Sequence, residues 1–323
     1  MNLKFVATES TSYRKASSLA IGDWLFRGFV YGCGLALVAI FALMVYELAN
    51  GAGASFSKFG FGFLTGQTWD PVKEVFGALP LIYGTIVTSI VALIIAVPIS
   101  IGTAIFLSEI APAWLRRPAS YLIEIIAAIP SVILGLWGLF VLVPIVRDPI
   151  QRILGDNFSF IPLFDGPQFG IGILSASIIL SVMVVPIITA VSRDILQAVP
   201  NTQREAMIAL GATRWEVISQ AVIPYARSGI IGATILGLGR AMGETMAVTM
   251  VIGNGFKISP SLFEPGNTIA SAIASQFSEA SSAMQVSSLI EAGLILMAVS
   301  LIINVLARVL VGTLVRVPAS VRE

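Results

Sequence analysis

Six stretches of this chain are apolar for long enough to cross a bilayer, and its polar residues collect between them. A spanning helix needs about 20 mostly apolar residues. The runs fall at about residues 25–49, 80–108, 119–146, 169–192, 229–252 and 286–311. The pattern predicts an all-α integral membrane protein. The second and third runs are long, and each holds a proline, Pro98 and Pro130. Tilt, kinks or a break are expected there, because neighbouring helices can satisfy the carbonyls that proline frees. A domain order follows from the runs. Residues 1–24 form an N-terminal segment, and a span at 25–49 carries an external loop to 79. Five more spans fill 80–311, interrupted by a loop at 193–228, and a tail runs over 312–323.

The first run exceeds the roughly 7–15 apolar residues of a signal peptide and no A-x-A site follows it, so it reads as a retained span. Residues 10–24 suit either a short interfacial helix, with Arg14 and Lys15 at the headgroups, or a disordered basic tail. Lys and Arg set the direction of insertion. With the N-terminus inside, thirteen of them fall in inner segments and five in outer ones, leaving Arg240 alone within a span. Both termini are therefore expected on the cytoplasmic side of the membrane. The outer segments are rich in Gly and aromatics, which suits irregular loops at the membrane surface. Such loops either only connect or offer a docking surface to an external partner.

Composition agrees with this reading. The chain has 323 residues, of which 56% are hydrophobic and 11% charged. Soluble domains carry roughly a quarter charged residues. A net charge of +1 gives no sign of a nucleic-acid surface. The absence of histidine excludes histidine acid–base catalysis and His-ligated metals. Cys33 is the only cysteine, so no internal disulfide forms. No phosphate-binding G-x-x-x-x-G-K-[ST] run occurs, so the chain has no nucleotide loop of its own. No catalytic residue, metal or cofactor is expected in it.

The exception to apolar spans is GLGRAMGETMAV, residues 237–248. Arg240 and Glu244 are four apart and would share one helix face. A central charge costs roughly 3 kcal/mol on insertion scales. Mutual neutralisation explains how the span tolerates the charges, but not why they are there, since apolar replacements are usually at least as stable. A guanidinium fork matches the oxygens of phosphate. Phosphate near neutral pH still carries a proton that a carboxylate can accept in a hydrogen bond, whereas ionised sulfate does not. Arg240 and Glu244 thus suit an oxyanion path, with Thr245 as a further hydroxyl. Gly237, Gly239 and Gly243 let another helix approach. Glu124 and Glu291, near span ends, read as interfacial. The Pro130–Ser131 kink serves either packing or the pathway.

The loop after the fourth run carries specific helix signals. Thr202 and Glu205 have the spacing of a capping box, and the helix would stop at Gly211. Thr213 and Glu216 repeat the box ahead of a second helix that meets Pro224. Two short helices joined by a glycine turn make a compact knob.

The run EAMIALGATRWEVISQAVIP resembles the EAA loop of bacterial ABC importer permeases. Glu205, Ala206, Gly211 and Pro224 stand at matching positions, while Met207, Ala221 and Ile223 depart from the pattern by apolar exchange. Residues 83–109, 129–140, 237–254 and 265–277 are similar to the phosphate-specific members, and to the C-type of their two paired permeases. The resemblance implies an ABC importer permease fold with six transmembrane helices and a cytoplasmic coupling loop. Glu205, Ala206 and Gly211 would then couple to an ATPase, because in that family the first short helix seats in a groove of the ATPase subunit. The implied partners are a second permease, two ATPase subunits that use ATP-Mg, an external phosphate-binding protein and inorganic phosphate. The alternatives are a permease for sulfate, molybdate or phosphonate, or an ion-coupled secondary transporter.

Overall fold

The computed structural model describes the backbone of residues 16–314 and the side chains of 23–309. Among the described residues six helices are long and apolar enough to cross a membrane. They are Asp23–Gly51, Leu79–Ile110, Ser131–Phe158, Ile173–Gln197, Arg214–Met242 and Ala283–Val309. The only strand-like pairing among those residues is an isolated bridge between Asp70 and Val75. The chain divides into Met1–Asn50 and Gly51–Glu323.

The first unit holds one helix, Ala16–Gly51, apolar around its circumference. From Ala16 on, the expected interfacial segment is continuous with this helix, and residues 10–15 lie outside the described residues. The end of the tail, 315–323, lies outside them too.

In the second unit the fourth span, Ile173–Gln197, is the hub. Its most apolar window is 72% buried, against 28% or less in the other spans. The second span packs along it through small buried residues four apart, Ala92, Ala96, Ser100 and Ala104, while Gly84, nearer its start, packs on Asn267. Small side chains let two backbones approach closely where lipid offers no hydrophobic drive. Ser100 Oγ donates to the Val185 carbonyl at 3.2 Å, beside Pro186, and Thr189 Oγ1 donates to the Ser100 carbonyl. Pro98 sits inside an unbroken helix.

Two spans depart from the hydropathy reading. The run at 119–146 is not one helix. The helix Ala113–Ala127 stops, residues 128–130 form a turn, and a new helix starts at Ser131. Pro130 causes the break, because the residue before a proline is pushed out of the helical region. The run at 229–252 is divided as well: its helix begins at Arg214, ends at Met242, and gives way to the short helix Met246–Val251.

The segment after Gly51, expected as an external loop, is more ordered than a loop. It forms the short helices Gly53–Phe59 and Gly62–Thr65 over a core of Phe63, Trp69 and Phe76. Trp69 stacks on Phe256 at 5.7 Å and donates its Nε1–H to Gln276 Oε1 at 2.7 Å. Glu291 is buried rather than interfacial; one of its carboxyl oxygens has no hydrogen-bond partner.

The close approach of Gly84 to Asn267 gives a stability prediction. A Cβ on Gly84 would lie 2.0 Å from the Asn267 carbonyl oxygen, whereas one on Gly102 would meet nothing within 4 Å. Overpacking costs about 1–3 kcal/mol. Gly84→Ala should therefore lower the thermal midpoint of the detergent-purified protein, and Gly102→Ala should leave it unchanged. Equal midpoints for the two variants would contradict the close packing described here.

Candidate functional site

The two charges of 237–248 stand at a helix break. Arg240 lies in the last turn of the helix Ile223–Met242, where unpaired carbonyls favour a cation. Glu244 follows Gly243 and precedes the helix Met246–Val251, where free N–H groups favour an anion. The Ala247 N–H points to Glu244 Oε1 at 3.5 Å. The expectation of a shared face on one helix is thus corrected. The pair still forms, with Arg240 Nη2 at 3.5 Å from Glu244 Oε2, but across a turn. Gly243 N–H closes that turn on the Gly239 carbonyl at 3.3 Å.

The two partners are not equally placed. The Glu244 side chain is 5% exposed and that of Arg240 is 48% exposed. Arg240 faces two cavities. One, of about 1070 Å³, is lined also by Ser228, Gly232, Gly239, Asn304 and Arg308. The other, of about 220 Å³, is lined by Ala127, Ile129 and Met183, beside the break of the third apolar run. At 3.5 Å the ion pair is longer than the roughly 2.7–2.9 Å of a charge-assisted hydrogen bond. Among the described residues no acceptor takes a hydrogen bond from the guanidinium.

Thr245 is placed differently. Its hydroxyl donates to the Gly243 carbonyl at 3.3 Å, and it lines neither cavity. Gly237 packs on the fourth span, where a Cβ would meet Ile188 and Val184. Glu124 is half-exposed and pairs with Arg193 at 3.5 Å.

A second group of residues lies between the fourth and fifth spans. The helix Asn201–Ala209 starts after Pro200, so Thr202 is inside its first turn and forms no capping box with Glu205. Its far end is as expected. Gly211 has φ +83°, the Gly211 N–H reaches the Ile208 carbonyl, and the Ala212 N–H reaches that of Met207. This is the Schellman pattern that a left-handed glycine allows. Thr213 and Glu216 form the full capping box. The helix it opens does not stop at Pro224. A π turn at Ile218–Val222 absorbs the missing proline N–H, and the helix continues into the fifth span. The knob is therefore one short helix and the root of a long one.

Glu205, Ala206 and Gly211 are exposed, together with Ile208, Leu210 and Trp215. Met207 faces inward and packs with Leu196, Val199, Val217 and Val222, which explains an apolar exchange at that position. Sequence reasoning missed Arg204, which joins Glu109 of the second span at 2.7 Å, and it missed Asn304 and Arg308 in the larger cavity. Arg204 and Glu109 are 95 residues apart, and no local pattern links them.

A family model described as "Binding-protein-dependent transport system inner membrane component" matches residues 96–316. The chain belongs to this family. Its relatives include a protein of Pasteurella multocida named "Phosphate transport system permease protein PstC", 48% identical over 90% of this chain and 91% of that one. One of the same name in Mesorhizobium japonicum is 44% identical over 94% of each chain. A solved structure of a bacterial alginate ABC transporter has the same fold, with a TM-score of 0.59 at 16% identity over 95% of this chain and 100% of that one. The chain is thus a multi-pass membrane component with the fold of ABC importer permeases. The break at 243–245 and the loop at 201–211 both lie within the stretch that the family model covers.

The unequal exposure can be tested. In a Cys33→Ser background of this inner membrane component, Arg240→Cys should react with a water-soluble thiosulfonate about tenfold or more faster than Glu244→Cys, because reactivity follows access. Equal rates at the two positions would contradict the described geometry.

Proposed function

We propose that this chain is a membrane permease subunit of an ATP-driven importer of inorganic phosphate. The observation that carries the reading is Arg240: a guanidinium within an apolar run, facing two cavities, with no hydrogen-bond acceptor among the described residues. The named relatives are phosphate transport permeases, which supports the choice of oxyanion. Arg240 supplies the attraction and the fork of donors. Glu244 sits behind it, limits the attraction by partial neutralisation, and offers an acceptor to a protonated oxyanion. Reaching the substrate requires the turn at 243–245 to open. That motion is cheap, because the turn carries few helical hydrogen bonds. A low-dielectric surrounding sharpens both effects.

The chain itself does no covalent chemistry and holds no cofactor. ATP-Mg is used by two separate cytoplasmic ATPase subunits, which meet the exposed face of Glu205, Ala206, Ile208 and Leu210. A second homologous permease completes the path, and an external phosphate-binding protein delivers the substrate. Transport proceeds by alternating access. The N- and C-termini are cytoplasmic. A reporter fused in the 200–228 loop should accordingly be cytoplasmic, and one near Lys257 external; a cytoplasmic signal at Lys257 would overturn the six-span insertion.

A charge pair that only neutralises itself makes the opposite prediction from an oxyanion site. Arg240→Leu with Glu244→Leu restores an apolar span. If the pair merely neutralises, the double variant should transport better than either single one. On the present reading it inserts and assembles normally, yet labelled phosphate uptake falls by about a hundredfold or more, as for loss of a charged binding group. Uptake near the unmodified level, in membranes with matched amounts of assembled complex, would remove Arg240 from the substrate path. Competition by sulfate as strong as that by phosphate would favour a broader oxyanion permease.

A further inference from the structure

Arg204 ties three elements together. It lies in the first turn of the helix Asn201–Ala209 and turns inward, while its neighbour Glu205 is exposed. Its Nη2 donates to Glu109 Oε1 at 2.7 Å and its Nε to Glu109 Oε2 at 3.2 Å. Nη2 also donates to the Leu196 carbonyl at 2.9 Å, and Nη1 donates to that of Val199. Leu196 belongs to the last turn of the fourth span, and Glu109 to the π turn Phe106–Ile110 that closes the second. The two side chains are 17% and 11% exposed.

Adhesion alone does not account for this arrangement. A buried ion pair is a weak source of stability, and apolar side chains hold two helices at least as well. What a two-point guanidinium–carboxylate pair adds is fixed geometry. The polypeptide already joins the short helix to the fourth span through residues 198–200. Arg204 adds a polar two-point tie to the second span, which otherwise meets the loop through the apolar cluster of Ile101, Ala104 and Ile105 with Val199 and Met207. Its partner Glu109 sits at a π turn, a feature often found at functional sites.

We infer that the Arg204–Glu109 pair is the link by which a displacement of the exposed helix 201–209 is transmitted to the second span. A push on that helix then moves the second and fourth spans as one body, and these are the spans that pack along the small-residue ladder. Arg204 and Glu109 are positioning residues in this account. The inference rests on the proposed ATP-driven transport.

The test measures phosphate moved per ATP hydrolysed by the complete complex in liposomes. Phosphate uptake by the unmodified complex tests the underlying reading; only the ratio of variant to unmodified coupling tests the link. Glu109→Gln and Arg204→Lys should bind the ATPase subunits and hydrolyse ATP within about twofold of normal, while phosphate per ATP falls about tenfold, a loss of coupling rather than of binding. Coupling is read on assembled complex, so lower yield does not enter the ratio. A second arm replaces the pair by a covalent tether: Glu109→Cys with Arg204→Cys in the Cys33→Ser chain, joined by a short, rigid thiol-reactive linker. Joining should recover most of the lost coupling. Normal coupling in the single variants, or a joined variant as uncoupled as the unjoined one, would overturn the inference.

Discussion

In hydrocarbon, a backbone N–H or C=O without a partner costs several kcal/mol, so a spanning chain must satisfy its own backbone. Every departure from helix is therefore confined to places where protein or a cavity meets the freed groups. Among the described residues the helix is broken inside two of the apolar runs, at 128–130 and at 243–245. Both departures adjoin Arg240: the first lines the smaller cavity with it, and the second lies directly after its helix. The same constraint places the two charges. The end of one helix favours the guanidinium, and the start of the next favours the carboxylate. The break makes the charges tolerable, and the cavities make them useful.

The rest of the second unit holds that break in place. The buried fourth span is the common packing axis. The second span lies along it because Ala92, Ala96 and Ser100 bring the two backbones close. The fifth span meets the axis through Gly237, packed on Ile188 and Val184, three residues before Arg240. At the loop end, Arg204 binds the exposed short helix to both the second and the fourth span. The exposed helix and the guanidinium are thus connected through an unbroken series of packed elements.

Hydropathy made the number of spans legible, since length and apolarity are local properties. It misplaced the third and fifth because a running average crosses a break without registering it. Pro130 was the available signal for one break, and Gly243 beside two charges for the other. The glycine turn at Gly211 and the capping box at Thr213 were legible, because each is set by residues within one turn. The box at Thr202 failed because the helix had already begun after Pro200. Arg240 and Glu244 stood out as charges in an apolar run, but their unequal exposure did not. Arg204 and Glu109 were not legible as a pair, since nothing in either neighbourhood names the other.

The central claim is that an oxyanion meets Arg240. Arsenate shares the shape and protonation of phosphate and scatters anomalously. Crystals of the assembled complex soaked in arsenate would locate it directly. The account predicts an anomalous peak within about 4 Å of the Arg240 guanidinium carbon, as hydrogen bonding to the fork requires. A peak elsewhere along the path, with the guanidinium closed on Glu244, would contradict it.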